Sequence, residues 1–356
     1  MLRKTAPLVV LCLALAGLGS CGSTSSHFVF ATLPSTNSGS IAAFREAGSS
    51  GVLTTVPGSP FTAGQGAHGL AIHPSNKFLY VTNSNENSIS LFTIASDGSL
   101  TEVTPRTQLG TGEAGPNLIV MDSAGGYLYV ANSLSGTISS FSISSSNGAL
   151  TRVMNSPFVV GATPLAMMLS PSGGVLFVTS GSNQGLISVF SVASGVLTAV
   201  GSPVQINQSG PFSVAVDPTG NFLYVGNFVD GTISTFTIGS GGALAPLGSP
   251  LNINYSGPIA LLIDQLGPWL YIANSSNITG YSLNSGALTL LSAAGAPFTA
   301  TSPTLLAQDP GGNVIFVANS TSLASYTVTT SGTTAGALTS LTSVPVSAPA
   351  GIVVSH

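Results

Sequence analysis

One short strand, repeated along the chain, constrains the fold more than any other feature. Phe78-Leu79-Tyr80-Val81-Thr82-Asn83 recurs as Tyr127 to Asn132, Val175 to Ser180, Phe222 to Asn227, Trp269 to Asn274 and Val314 to Asn319. A worn first copy is Phe28-Val29-Phe30-Ala31-Thr32. With Phe28, Leu79, Leu128, Leu176, Leu223, Leu270 and Ile315 taken as equivalent, the copies stand 45 to 51 residues apart. A fixed period of that length is the mark of stacked or radial repeats, not of unrelated domains in series.

Each copy brings the same companions. Ahead of it runs an alternating segment closed by a tight-turn signal, such as Pro211-Phe212-Ser213-Val214-Ala215-Val216-Asp217-Pro218-Thr219-Gly220. Behind it comes a second alternating strand, such as Gly231-Thr232-Ile233-Ser234-Thr235-Phe236-Thr237-Ile238, and then a turn and strand beginning Gly98-Ser99-Leu100-Thr101 or Gly148-Ala149-Leu150-Thr151. Four short strands per unit with no helical period between them predict an all-β, seven-bladed β-propeller with four-stranded antiparallel blades. The first copy lacks an inner strand, whereas Pro349-Ala350-Gly351-Ile352-Val353-Val354-Ser355-His356 matches the inner strands of the other units and has no unit of its own. Pairing of this C-terminal strand in the N-terminal blade is expected to close the ring and remove its open edge. The Asn that ends most copies is read as a turn residue tolerating a left-handed backbone.

Ahead of the repeats lies a different kind of segment. Arg3 and Lys4 precede an apolar run from Ala6 to Leu18, then Gly19-Ser20 and Cys21. The run is too short for a spanning helix, which needs about 20 apolar residues, and has the layout of an export signal. Leu18-Gly19-Ser20-Cys21 resembles the lipobox of bacterial lipoproteins. That resemblance implies a signal peptide over 1–20, a lipid on Cys21, a polar tether over 21–26 and the propeller over 27–356. It also implies a cell-envelope protein held to the membrane by its N-terminal lipid; Gly22 after the cysteine fits sorting to an outer membrane. The alternative is an ordinary secretory signal with an incidental cysteine.

Charge excludes one class of partner. Without residues 1–20, four basic residues (Arg45, Lys77, Arg106, Arg152) face ten acidic ones, a formal charge of −6, and all four lie before position 153. No basic stripe exists to displace counterions from a nucleic acid. Four His with no i, i+4 pair among them, and no thiol besides Cys12 and Cys21, offer no metal-ligand spacing, and no cofactor motif is present. The ten acids are spread singly through the repeats.

Tyr80-Val81-Thr82-Asn83 with its flanking pattern resembles the YVTN-type repeat of the propeller lactonase family, which includes the propeller 6-phosphogluconolactonases; the likeness covers residues 27–356. It implies lactone hydrolysis by a His on the third inner strand, an Arg-His pair on the fourth, and a Glu after the strand that follows. Such groups suit the reaction, a base for water and cations for a carboxylate or phosphate and a developing oxyanion. Here the matching positions hold Leu165, Phe212 with Ser213, and Phe228. A His does occupy the family-like place two inner strands earlier, His68, but Asn117-Leu118 and Ser133 stand where its partners would be needed.

The sequence therefore leaves two functions open: a non-catalytic envelope protein that displays polar loops to a protein, glycan or small ligand, and a lactone hydrolase. In either case the ligand site of a propeller is expected on the face where inner strands begin. The loops of that face carry His68, Glu86, Glu113, Gln184 and Asp230 as candidate contacts.

Overall fold

The protein is described by a computed structural model covering residues 27–356 apart from 49, 182 and 256; the signal segment, Cys21 and the tether fall outside the described residues. Seven antiparallel sheets of four or five strands each make the blades of one propeller. Blade 2 shows the plan: Ala67–Ile72 lines the axis, Phe78–Asn83 and Ser88–Ile94 follow outward, and Leu100–Gln108 forms the outer edge. Blades 3 to 7 repeat it with inner strands Pro116–Met121, Pro164–Leu169, Pro211–Val216, Ala260–Ile263 and Pro303–Gln308. Blade 1 is composite: its second strand His27–Leu33 pairs with Ser40–Glu46 on one side and with Gly351–Val354 on the other.

The recurring strand is the core of each blade because both its faces are covered. Phe30, Leu79, Tyr80, Tyr129, Phe177, Tyr224, Tyr271 and Phe316 are fully buried, and a strand sandwiched between neighbouring sheets reads as a near-continuous apolar run. Blades also lock across their interfaces. Tyr80 Oη donates to the Gly148 carbonyl of the next blade at 2.7 Å, and Tyr271 Oη does the same to Gly336 at 3.0 Å. Gly148 sits at φ +73° with Phe78 against its Cα, where a Cβ would come within 2.8 Å of the ring. A side chain there would be both strained and in collision.

Two expectations need correction. Val29, not Phe28, is the equivalent of Leu79: Val29 pairs with Val354 as Leu79 pairs with Ile72, and Phe28 occupies the place of Phe78. An all-apolar strand carries no period-2 signal to fix its register. The strand-ending Asn are not left-handed either; Asn83, Asn132, Asn227, Asn274 and Asn319 are absent from the residues with positive φ. They are buried, and their amides tie two strands together. Asn83 Nδ2 donates to Ser88 and Ser90 Oγ at 2.9 and 3.0 Å, and Asn132 and Asn227 repeat the contact.

At the seam the closing strand does more than complete a ladder. Phe28 N donates to Ser355 Oγ at 2.8 Å, Ser355 N donates to the Phe28 carbonyl at 2.8 Å, and His27 Nδ1 lies 3.2 Å from the Ser355 carbonyl. Asn76 of blade 2 then clamps the His356 backbone through both its amide atoms.

Candidate functional site

A cavity of about 390 Å³ opens where the inner strands begin, and its rim holds one equivalent residue per blade. These are Ala350, His68, Asn117, Leu165, Phe212, Ile259 and Thr304 in order around the axis, each following a Pro or, for His68, Ala67. All but Leu165 belong to the cavity wall. Strand geometry explains the convergence: the first residues of seven inner strands of similar length and tilt must meet at one end of the axis. Side chains there are released from the packing between blades, so the column is free to vary.

The ring divides into unlike arcs. Thr304, His68 and Asn117 stand on blades 7, 2 and 3, whereas Leu165, Phe212 and Ile259 occupy blades 4, 5 and 6. Phe212 is 44% exposed and Phe228 37% exposed, and their rings meet edge to face at 5.3 Å between centroids. That geometry suits the aromatic quadrupole and leaves ring surface open to a ligand.

His68 is the one titratable group in the cavity wall among the described residues. Its Nδ1 lies 3.0 Å from the Asn117 carbonyl. A carbonyl only accepts, so Nδ1 carries the proton and Nε2 of the neutral ring is an acceptor. Burial pushes the imidazole pKa below 6.5, with the Asn117 carbonyl acting in the opposite direction. Asn117 Oδ1 is sealed from solvent with no partner among the described residues. The cavity thus offers His68 Nε2 as an acceptor beside apolar surface, and no charge among the described residues.

The other sequence candidates are placed elsewhere. Glu86 accepts Arg106 Nη1 at 2.8 Å and Ser88 Oγ at 2.7 Å, and Arg106 also grips Glu102 at 2.6 Å. Glu113 is almost fully buried and bound by Arg152, Ser139 Oγ and the Gly110 amide. These contacts and the nearby cations hold both carboxyls below the usual carboxylate range, against the effect of burial. Asp230 accepts the Ser209 amide at 2.7 Å, and Gln184 is an exposed loop residue. None of the four joins His68 in the cavity wall. Nor are the acids all solitary: buried Glu46 feels both Asp309 and His27, and burial raises its pKa. Asn117, Thr304 and Phe212 are not on the loops that carry the other candidates, but alignment of the repeats on His68 finds all three; Phe228 joins Phe212 only through the fold.

No group of three or more His, Cys, Asp or Glu is placed to hold a metal among the described residues. No helix among them is long and apolar enough to cross a membrane.

The family model for "Lactonase, 7-bladed beta-propeller" matches residues 36–163 and 155–260, more than half of the chain. The chain belongs to this lactonase family. No curated protein sequence matches it significantly. Among solved structures, a 6-phosphogluconolactonase candidate from Bacteroides fragilis superposes with a TM-score of 0.77 at 20% identity, over 95% of this chain and 99% of that one. The periplasmic gluconolactonase of Pseudomonas aeruginosa gives 0.72 at 19% identity, over 93% and 99%. At these identities the likeness to both is a likeness of fold. This member of the lactonase family has the propeller fold, and the mouth of its cavity presents one His, one Asn, one Thr and apolar residues.

Proposed function

We propose that the protein is a non-catalytic, lipid-anchored binding protein of the cell envelope, and that its rim cavity takes an uncharged ligand. The observation that carries this is the rim itself. Where lactone opening by the family's chemistry calls for cations and an acid, the chain has Leu165, Phe212, Ser213 and Phe228. Arg106 and Arg152 are engaged with carboxylates away from the cavity. An anionic ligand would lose its hydration there without gaining a counter-charge. A neutral ligand with hydroxyls on one side and an apolar face on the other meets both arcs.

The anchoring part of this reading is supported by the lipobox-like sequence ahead of the propeller. A lipid on Cys21 and a tether of six residues would hold His27 within about 20 Å of the membrane. His27 bonds to Ser355 at the end of the closing strand, so the rim cavity at the opposite end of the inner strands would face away from the bilayer. Replacing Cys21 with Ser should release the protein from membranes after a salt and carbonate wash; retention would disprove the anchor.

A second reading, lactone hydrolysis, is favoured by one feature. His68 has the tautomer of a general base, with Nδ1–H fixed by a backbone carbonyl and Nε2 open to a water. A panel of lactones separates the two. The binding reading expects no hydrolysis above buffer; turnover that disappears in His68→Ala would establish the second.

A further inference from the structure

Resting on the reading of the rim as a neutral-ligand site, we infer that the axial channel below it takes an alkyl chain, so that the ligand is an uncharged single-chain amphiphile. The rim cavity has a neighbour along the inner strands. A second cavity, of about 610 Å³, opens at the other end of the inner strands, and the two share Leu70, Ile119 and Val120 in their walls. Between the ends the lining is aliphatic: Leu70, Val120, Met168, Leu306, Ile352 and Val353. Among the described residues of the two walls, the acidic side chain, Asp122, stands at the far end with His356.

Three properties specify the occupant. Aliphatic walls offer water too few polar partners to hold it in place, so they favour an apolar guest. Six-residue strands run about 20 Å along the axis, which suits an extended chain better than a compact ring. Met167 and Met168, adjacent on blade 4, add unbranched, adaptable side chains to the wall. At the rim, His68 Nε2 is the acceptor left open to a ligand. The head group must therefore donate, as hydroxyls do, and with no cation in the wall among the described residues it gains nothing from negative charge.

The test is a calorimetric titration of the full-length protein carrying Cys21→Ser, so that no attached lipid competes, with n-alkyl β-glucosides of increasing chain length below micelle formation. Affinity should tighten by up to about fourfold per added methylene, then level off once the channel is filled. Met168→Trp, which fills the channel with apolar bulk, should remove the dependence on chain length while leaving binding of the short glucosides. If Met168→Trp does not fold, the slope in the parent protein decides alone. Affinity independent of chain length, yet weakened by Phe212→Ala, would overturn the channel inference and leave the rim site standing. Absence of binding by every glucoside would overturn both.

Discussion

The seam of the ring and the rim of its channel both depart from sevenfold repetition, in opposite ways. At the seam the connectivity changes and the contacts are conserved. Blade 1 takes its inner strand from residues 351–354, yet Thr32 pairs with Gly351 and Val29 with Val354 in the register used by continuous blades. At the rim the connectivity is regular and the side chains diverge, from His68 to Phe212 at one equivalent position. The difference shows where the fold spends its sequence. Backbone ladders and buried apolar faces admit little variation, whereas strand starts facing a cavity admit almost any residue and so can carry function.

If this division holds, stability effects should be largest at the seam. Deletion of residues 349–356 removes a ladder, the Ser355 contacts to Phe28 and the clamp from Asn76. It also exposes the edge of His27–Leu33. A loss above about 4 kcal/mol is expected, beyond ordinary single-site effects, with association through the bared edge. Thermal unfolding with light scattering would measure both; a monomer as heat-resistant as the parent would break the contrast.

Arg152→Ala should come next. It leaves the almost fully buried Glu113 without its cation, and an uncompensated buried charge costs about 3 to 5 kcal/mol. Because Arg152 is partly solvated, the lower part of that range is expected, and adding Glu113→Gln should recover much of it. Denaturant unfolding of the single and double variants would show the coupling.

Glu46→Gln should act in the opposite direction. Burial raises the Glu46 pKa above 4.5, so the folded state holds its proton more tightly than the unfolded chain. The stability lost by ionising it is complete above the raised pKa and absent below about pH 4.5. A neutral amide should therefore stabilise the seam by about 1 kcal/mol near pH 7 and by nothing in acid. Unfolding midpoints measured across that range would contradict the assignment if the gain were independent of pH.

Much of this division is readable from the chain before folding, and the failures have physical causes. Blade number and closure follow from repeated strands and from one unpaired copy, because each blade writes its own turns. The one-residue error at Phe28 arises because a strand buried on both faces has no alternation to set its register. The Asn escape local rules, which know Asn as a turn former, because the burial that turns Asn83 toward Ser88 and Ser90 is tertiary. Glu86 and Glu113 look free in sequence because Arg106 and Arg152 reach them across 20 and 39 residues. His68 was visible as a polar residue at a strand start, but its tautomer depends on a carbonyl of the next blade.

Rim substitutions should have the smallest effect on stability. Phe212→Ala removes an exposed ring and should change the unfolding free energy by no more than about 0.5 kcal/mol. Binding should still weaken, because the apolar arc is lost. In the parent protein binding should be full above pH 6.5 and fall as the pH drops through the lowered pKa of His68, since the protonated ring can no longer accept at Nε2. An unfolding scan paired with a pH titration of binding would show whether the two effects separate.

The claim that the rim selects an uncharged ligand is tested most directly by one affinity ratio, that of an alkyl glucoside to the same compound phosphorylated on its sugar. Without an unpaired cation among the described residues of the cavity wall, the phosphate should weaken binding at least tenfold, and raising the salt concentration should change the ratio little. Equal or tighter binding of the phosphorylated compound, weakened by salt, would mean that the rim recognises an anion and that the neutral-ligand assignment is wrong.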